Sequence, residues 1–326
     1  MRRGRRGDLA QRKKPRCTSP APFGAHVARR FRGDLARALC CRYVRLKFCR
    51  SVPLSKTFPV YNEVQVFERS AGGYVTQTFY DDLAPYYKYA YANWDASVKR
   101  QAAVLDGVIR EFAGANACTV LDAACGVGTQ SLGLAALGYQ VTASDLSVAE
   151  VERAQAEAAR RALAIDFRVA DMRSVWDVYG RSFDVVMACD NSVPHLLTDA
   201  DILQAFEQFY RCTAPDGCCI VTVRDYARLD RRAGERKMVP RLVHTTEQGQ
   251  LVLLDVWTFE DADQYTITMY VIEDNGGTDV TTRAIRGGRY YCVTLPTLER
   301  LLHQAGFRQV VTLRDRFFQP LLVATR

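Results

Sequence analysis

The sequence predicts an α/β fold built on a doubly wound, mostly parallel, seven-stranded sheet, and three observations lead there. Short apolar runs alternate with helical periodicity between Thr119 and Cys212. A glycine turn, Cys125-Gly-Val-Gly128, joins the first of these runs to its helix. The second run, Gln140–Ser144, leads directly into an acid, Asp145.

Taken in order, the pattern predicts strands at Thr119–Cys125, Gln140–Ser144, Asp166–Ala170, Phe183–Cys189 and Cys218–Arg224, with helices near 129–137, 147–163 and 200–212. Ahead of them, Phe79–Trp94 is dense in aromatic residues and is followed by an amphipathic helix from about Ser97 to Phe112. Those rings can form a lid over a pocket or simply cover a sheet edge. A last helix, Leu295–Ala305, precedes two strands, Gln309–Arg314 and Leu321–Thr325, whose short connection makes the final pair antiparallel. Between the fifth strand and the last helix, Leu251–Phe259, Gln264–Ile272 and Val280–Ile285 alternate apolar and polar residues and favour β-branched and aromatic types. They read as a small antiparallel β insertion within about 227–294, turning at Glu273–Asp279 and placed to act as a lid.

Charge divides the chain. Residues 1–57 hold 17 of the 44 Lys and Arg but only Asp8 and Asp34 of the 36 acids, while the remaining 269 residues carry a net charge of −7. The acidic domain is thus expected over 58–326, behind a basic tail without sustained apolar periodicity that is expected to be disordered. An organelle-targeting peptide, a tether to acidic surfaces or nucleic acid, or translation from a misplaced start would each produce such a tail, and the last is the favoured reading. The acidity of the domain argues against nucleic acid as its substrate. No run approaches the ~18 apolar residues of a membrane span, so the expectation is a soluble, cytoplasmic protein without a membrane partner. Eleven scattered cysteines include no Cys-x-x-Cys spacing, which points to reduced, buried thiols and no metal site.

A strand, a glycine turn, a helix and a second strand ending on an acid together form a cradle for an adenosine-containing cofactor. A nicotinamide fingerprint would place a third glycine where Ser131 stands. Val120–Gln130 with Asp145, 17 residues past Gly128, instead resembles the motifs of class I S-adenosylmethionine (SAM) dependent methyltransferases. The resemblance spans roughly residues 79–326 and implies a Rossmann-like methyltransferase fold that binds SAM. It implies cofactor contacts from Ala124, Gly126, Gly128 and Cys189, with Asp145 on the ribose. Asp171 and Met172 stand at the adenine position, where the resembled family has an Asn-Trp pair, and Asp171 could equally be a helix cap. Tyr80 and Arg100 complete the expected cofactor set, Arg100 as a bidentate partner for the methionine carboxylate.

Past the fourth strand, Asn191-Ser-x-x-His195-Leu is similar to glycine N-methyltransferase and the bacterial glycine/sarcosine N-methyltransferases. Val223-Arg-Asp-Tyr226 and Arg289-Tyr-Tyr-Cys292 add to the likeness. It implies that Arg224 grips a substrate carboxylate, that Asn191 orients the amine, and that Tyr226 and Tyr291 line the pocket. His195 could take the amine proton, or be a structural hydrogen-bonding residue. The implied substrate is a small amine or amino acid such as glycine or sarcosine. Another small metabolite, a natural-product intermediate or, through the basic tail, an RNA remain as alternatives.

Overall fold

The computed structural model describes residues 76–277 and 280–326, all of which fall in one compact unit. The expectations for residues 1–57, the start of the domain at 58, and Thr278 and Asp279 of the insertion's turn lie outside the described residues.

Seven strands form the main sheet: β1 Thr119–Asp122, β2 Gln140–Asp145, β3 Asp166–Val169, β4 Phe183–Ala188, β5 Thr213–Thr222, β10 Gln309–Leu313 and β11 Leu321–Thr325. Their order is β10-β11-β5-β4-β1-β2-β3. The first five run parallel, and β11 pairs antiparallel with both β5 and β10. β1 sits between β2 and β4, with Val120 opposite Val141 on one side and Val185 on the other. The order reverses here, so the carboxyl ends of β1 and β4 open a crevice between their connections.

Because successive strand residues point to opposite faces, each strand contributes to two cores. On one face Leu121, Val186 and Val221 pack with helices α6 (Asp199–Cys212) and α7 (Leu295–Gln304). On the other, Val120, Val185 and Ile220 meet α2 (Trp94–Phe112) and α3 (Thr129–Ala136). Helix α2 starts three residues earlier than the sequence pattern suggests because the Asn93 side chain caps it, accepting from the Ala96 N–H.

Where a third glycine was missing, the fold supplies one two residues later. A Cβ on Gly133 would lie 2.6 Å from Ala102 Cβ and 2.7 Å from the Val98 carbonyl oxygen, so α2 and α3 approach this closely only over glycine.

The insertion is a four-stranded antiparallel meander, β6 Arg236–Thr246, β7 Gly249–Phe259, β8 Gln264–Asp274 and β9 Val280–Tyr291. Three strands were predicted; β6 is the addition. It is an edge strand carrying Pro240 and a register shift, and it leaves Met238 71% and Val243 61% exposed, so no apolar face marks it in the sequence. Its neighbours bury Leu253, Trp257, Tyr265 and Ile267 against Phe79 and Leu83 of α1 (Thr76–Leu83). Six described cysteines, 125, 189, 212, 218, 219 and 292, are free and buried as expected, whereas Cys118 is disulfide-bonded. Among the described residues no cluster of side chains could hold a metal ion, and no helix is long and apolar enough to cross a membrane.

Two predictions concern this framework. Gly133→Ala forces a methyl group into backbone and costs about 1–3 kcal/mol, which calorimetry should read as a melting temperature lower by roughly 2–10 °C; an unchanged value would mean that α2 and α3 can separate freely. The second concerns Asp122, which is fully buried at the end of β1 with Oδ1 unpartnered and Oδ2 accepting from Ser131 Oγ at 2.6 Å. Burial pushes its carboxyl up to about 7, against the Ser131 hydrogen bond and with help from the Asp145 charge. The folded chain therefore keeps a proton that the unfolded chain releases near pH ~4, so the stability this group contributes is present at low pH and lost as pH rises to about 7. Asp122→Asn should flatten that decline in the melting temperature of the ligand-free protein, and an unaltered slope would contradict the assignment.

Candidate active site

The crevice between β1 and β4 is shaped by its glycines. The chain leaves β1 through Gly126 at φ +52° and Gly128 at φ +88°, both in the left-handed region, and Gly128 becomes the N-cap of α3. A Cβ on Gly126 would meet Glu150 Oε2 at 3.1 Å, so the turn lies directly against the next acidic element. Gly126 N–H donates to Asp145 Oδ2 and Ser147 N–H to Asp145 Oδ1, each at 2.9 Å. Burial raises the pKa of Asp145, and these backbone donors oppose it.

A cavity of about 440 Å³ opens above this turn. Of the expected cofactor residues, Tyr80, Ala124, Gly126, Asp145, Asp171, Met172 and Cys189 all line it. Gly128 does not; it acts one step back, as the helix cap. Arg100 is a correction. The buried stripe of α2 runs through Ser97, Val98, Gln101 and Leu105, which turns position 100 to the exposed face, where its guanidinium donates to Ser97 Oγ. Asp171 lines the cavity and is also a helix cap. It caps a short helical turn, accepting from Arg173 N–H, and Arg173 also grips both of its oxygens, so that its pKa falls although burial opposes this.

Glu150 is a residue the sequence analysis missed. Ser147-x-x-Glu150 has the form of a capping box, in which the glutamate would take the N–H of Ser147. Asp145 takes that N–H instead, and Glu150 turns into the cavity, 1% exposed with Oε1 unpartnered. Burial raises its pKa well above the glutamate value, reinforced by the charges of Asp145, Asp81 and Asp190. A cavity with acceptors at Asp145 and Glu150, an apolar Met172 and a Cβ-free floor fits a cationic adenosine cofactor such as SAM, which offers ribose hydroxyls, a purine and a sulfonium.

A second cavity of about 410 Å³ lies against the insertion, lined by Arg224, Arg241, Tyr290, Met269, Phe79 and Gln319 among others. Tyr80, Tyr87 and Asp190 line both cavities and form the seam between them. Arg224 Nη1 donates to Tyr265 Oη at 2.8 Å, and the guanidinium lies over Trp257 and Tyr290 at 4.9 and 5.6 Å from the ring centroids. Among the described residues it makes no ion pair, unlike Arg241, which binds Asp255 at 2.6 Å. Burial works against its charge, yet the surrounding Tyr265, Tyr290 and Tyr226 hydroxyls and Asp190 hold its pKa above the usual arginine value.

Asn191 and Tyr291 do not line either cavity. Asn191 is 2% exposed; its Oδ1 accepts from the Arg224 N–H and its side chain bonds Tyr226 Oη. It braces the strand end that carries Arg224. Tyr291 donates to Asp199, and its neighbour Tyr290 faces the cavity, because alternation along β9 sends adjacent residues to opposite sides. His195 lines the first cavity: Nδ1 meets the Arg289 carbonyl at 2.7 Å and Nε2 the Tyr80 hydroxyl at 2.8 Å. Burial lowers its pKa to about 3, with the Arg224 charge adding to the effect and the Arg289 carbonyl opposing it. The neutral ring must then donate from Nδ1 and accept from Tyr80, which leaves no free nitrogen to take a substrate proton.

The family described as a methyltransferase domain matches residues 120–217, the stretch from β1 into β5. A glycine/sarcosine N-methyltransferase of Halorhodospira halochloris is 29% identical over 137 residues, covering 41% of this chain and 49% of that protein. One from Aphanothece halophytica is 24% identical over 229 residues, covering 68% and 77%. The chain spans about half the length of the curated relatives that head the comparison. Among solved structures, the sugar N-methyltransferase KedS8 from Streptoalloteichus shares the fold with a TM-score of 0.61 at 20% identity, over 85% of this chain and 99% of that one. With the seven-stranded order, the glycine turn and the acid of β2 in place, residues 120–217 match a methyltransferase domain, and the chain is similar to SAM-dependent methyltransferases.

Proposed function

We propose that the protein moves the methyl group of SAM to the nitrogen of a small amino acid such as glycine or sarcosine. The observation that carries this reading is Arg224, a guanidinium in the second cavity with hydroxyls and ring faces around it and no carboxylate partner among the described residues. A largely desolvated charge with no anion in direct contact is costly, and a substrate carboxylate would supply that contact through a bidentate pair.

When bound, SAM supplies an electrophilic methyl group on a positively charged sulfur. The protein's own part is positioning: aligning an acceptor nitrogen behind that methyl and excluding water. Tyr80 and Tyr87 stand at the seam where cofactor and acceptor cavities meet, and the β insertion closes the acceptor side. His195 holds Tyr80 in place as an acceptor, so its role is orientation.

A second reading draws on size. A cavity of about 410 Å³ exceeds what a two-carbon amino acid fills, and Arg241 adds a second guanidinium, so a larger carboxylate-bearing amine fits as well. An amino sugar without a carboxylate, the kind of substrate that the name of KedS8 suggests for that protein, would leave Arg224 unpaired.

The full chain incubated with methyl-labelled SAM and a panel of glycine, sarcosine, dimethylglycine and carboxylate-free amines should yield methylated amino acid, read by mass. Arg224→Ala should lower kcat/KM for it by about 10- to 100-fold, the loss of one charged hydrogen-bonded pair, with SAM affinity unchanged. Methylation confined to carboxylate-free amines would refute the assignment. Because the His195 pKa is lowered to about 3, the ring is neutral throughout pH 5–9. His195→Asn should therefore reduce the rate without moving any apparent pKa of the pH–rate profile; a shifted limb would make His195 the proton acceptor after all.

A further inference from the structure

Asp190 is the carboxylate at the seam, and its setting is unusual. Asp190 and Asn191 take φ values of +57° and +67°, two consecutive non-glycine residues in the left-handed region, a strain that persists only where the surroundings impose it. Thr222 imposes it here: its Oγ1 accepts from the Asp190 N–H at 2.7 Å and its carbonyl from the Asn191 N–H at 2.9 Å. Asn191 continues the brace to Tyr226 and to the Arg224 N–H. One turn thus fixes both Asp190 and Arg224.

Only neutral donors hold the Asp190 carboxylate. Oδ2 accepts from Tyr87 at 3.1 Å and Tyr91 at 3.0 Å, and Oδ1 meets Gln319 Nε2 at 3.3 Å. Among the described residues it makes no ion pair, although Arg224 and Arg241 share its second cavity and Glu150 its first. The neighbouring His195 is neutral. Asn191, expected to orient the amine, is spent on the brace, so an acceptor nitrogen in the second cavity needs another anionic or accepting group, and Asp190 is the carboxylate that faces it.

Resting on the reading above, we propose that Asp190 binds the acceptor's ammonium group and takes its proton, so that the acceptor is a zwitterion spanning Asp190 and Arg224. In this step the ammonium gives one proton to the Asp190 carboxylate and becomes a neutral amine. Its lone pair forms the N–C bond as the S–C bond breaks, and that electron pair stays on sulfur as a thioether. The product is a methylated ammonium ion, and the proton on Asp190 passes to solvent when the cavity opens. A carboxylate held by three neutral hydrogen bonds and, among the described residues, no direct ion pair keeps oxygen lone pairs open to an incoming ammonium group.

The test is Asp190→Asn in the full chain, an isosteric change that the left-handed backbone accepts, with circular dichroism to verify folding. SAM and S-adenosylhomocysteine (SAH) affinities by calorimetry should both stay within about threefold of the unaltered protein, and kcat/KM for the amino acid at pH 7 should fall at least 100-fold. The variant's rate should then rise close to tenfold per pH unit between 7 and 9, as the free amine forms in solution, while the unaltered protein stays nearly flat. An Asn variant that keeps its rate overturns the proposal. So does one that loses affinity for SAM but not for SAH, because Asp190 would then be balancing the sulfonium. If the unaltered protein methylates only carboxylate-free amines and the Asn variant still shows the steep pH dependence, the Arg224 anchor falls and Asp190 stands as the proton acceptor. Tyr91→Phe gives a second check: removing one of three donors to the carboxylate should lower kcat by less than the Asn change and leave the profile near flat.

Discussion

Among the described residues, the Arg224 guanidinium faces a cavity with no anion in direct contact, although the Asp190 charge reaches it across that cavity. The Arg224 guanidinium is supported by the Tyr265 hydroxyl and by the faces of Trp257 and Tyr290, which soften its desolvation but do not neutralise it. Its backbone is pinned through Asn191 to the end of β4, and its walls come from β7, β8 and β9 of the insertion. The main sheet, the strand-end turn and the lid therefore converge on this group.

Sheet order explains why the cofactor side lies next to it. Reversal of strand order between β1 and β4 opens the crevice, the glycine turn lowers its floor, and β4 and β5 end beside each other on its far side. In the proposed reading, a cofactor on Gly126 and Asp145 and an acceptor on Arg224 would face one another across Tyr80, Tyr87 and Asp190, which line both cavities. That geometry suits a single displacement, in which the protein contributes alignment and a dry setting.

Much of this was legible in the sequence because it is local. Strand periodicity, the Gly126-Val-Gly128 turn and the acid of β2 each depend on neighbouring residues, and of the positions they pointed to, Ala124, Gly126 and Asp145 line the first cavity while Gly128 caps the helix behind it. What was not legible depends on phase or on competition between partners. Arg100 lies on the exposed face of α2, a helix that contributes no lining to either cavity, and Tyr291 missed by one step of strand alternation. Glu150 gave no signal in the sequence, because whether it caps the helix or faces the cavity depends on Asp145 taking the Ser147 N–H. Asn191 carried the right motif but is consumed by Tyr226 and the Arg224 backbone, partners that lie more than thirty residues away in sequence. Strand β6 hid because an edge strand with a proline carries no apolar stripe.

Displacement of labelled glycine from the SAH-saturated full chain tests the role of Arg224 most directly. If the unpaired guanidinium is the anchor, acetate should compete with glycine and methylamine should do so only weakly, with the acetate effect fading as salt rises. Competition by methylamine with none by acetate would contradict it, and would mean that this arginine serves the protein and not a substrate.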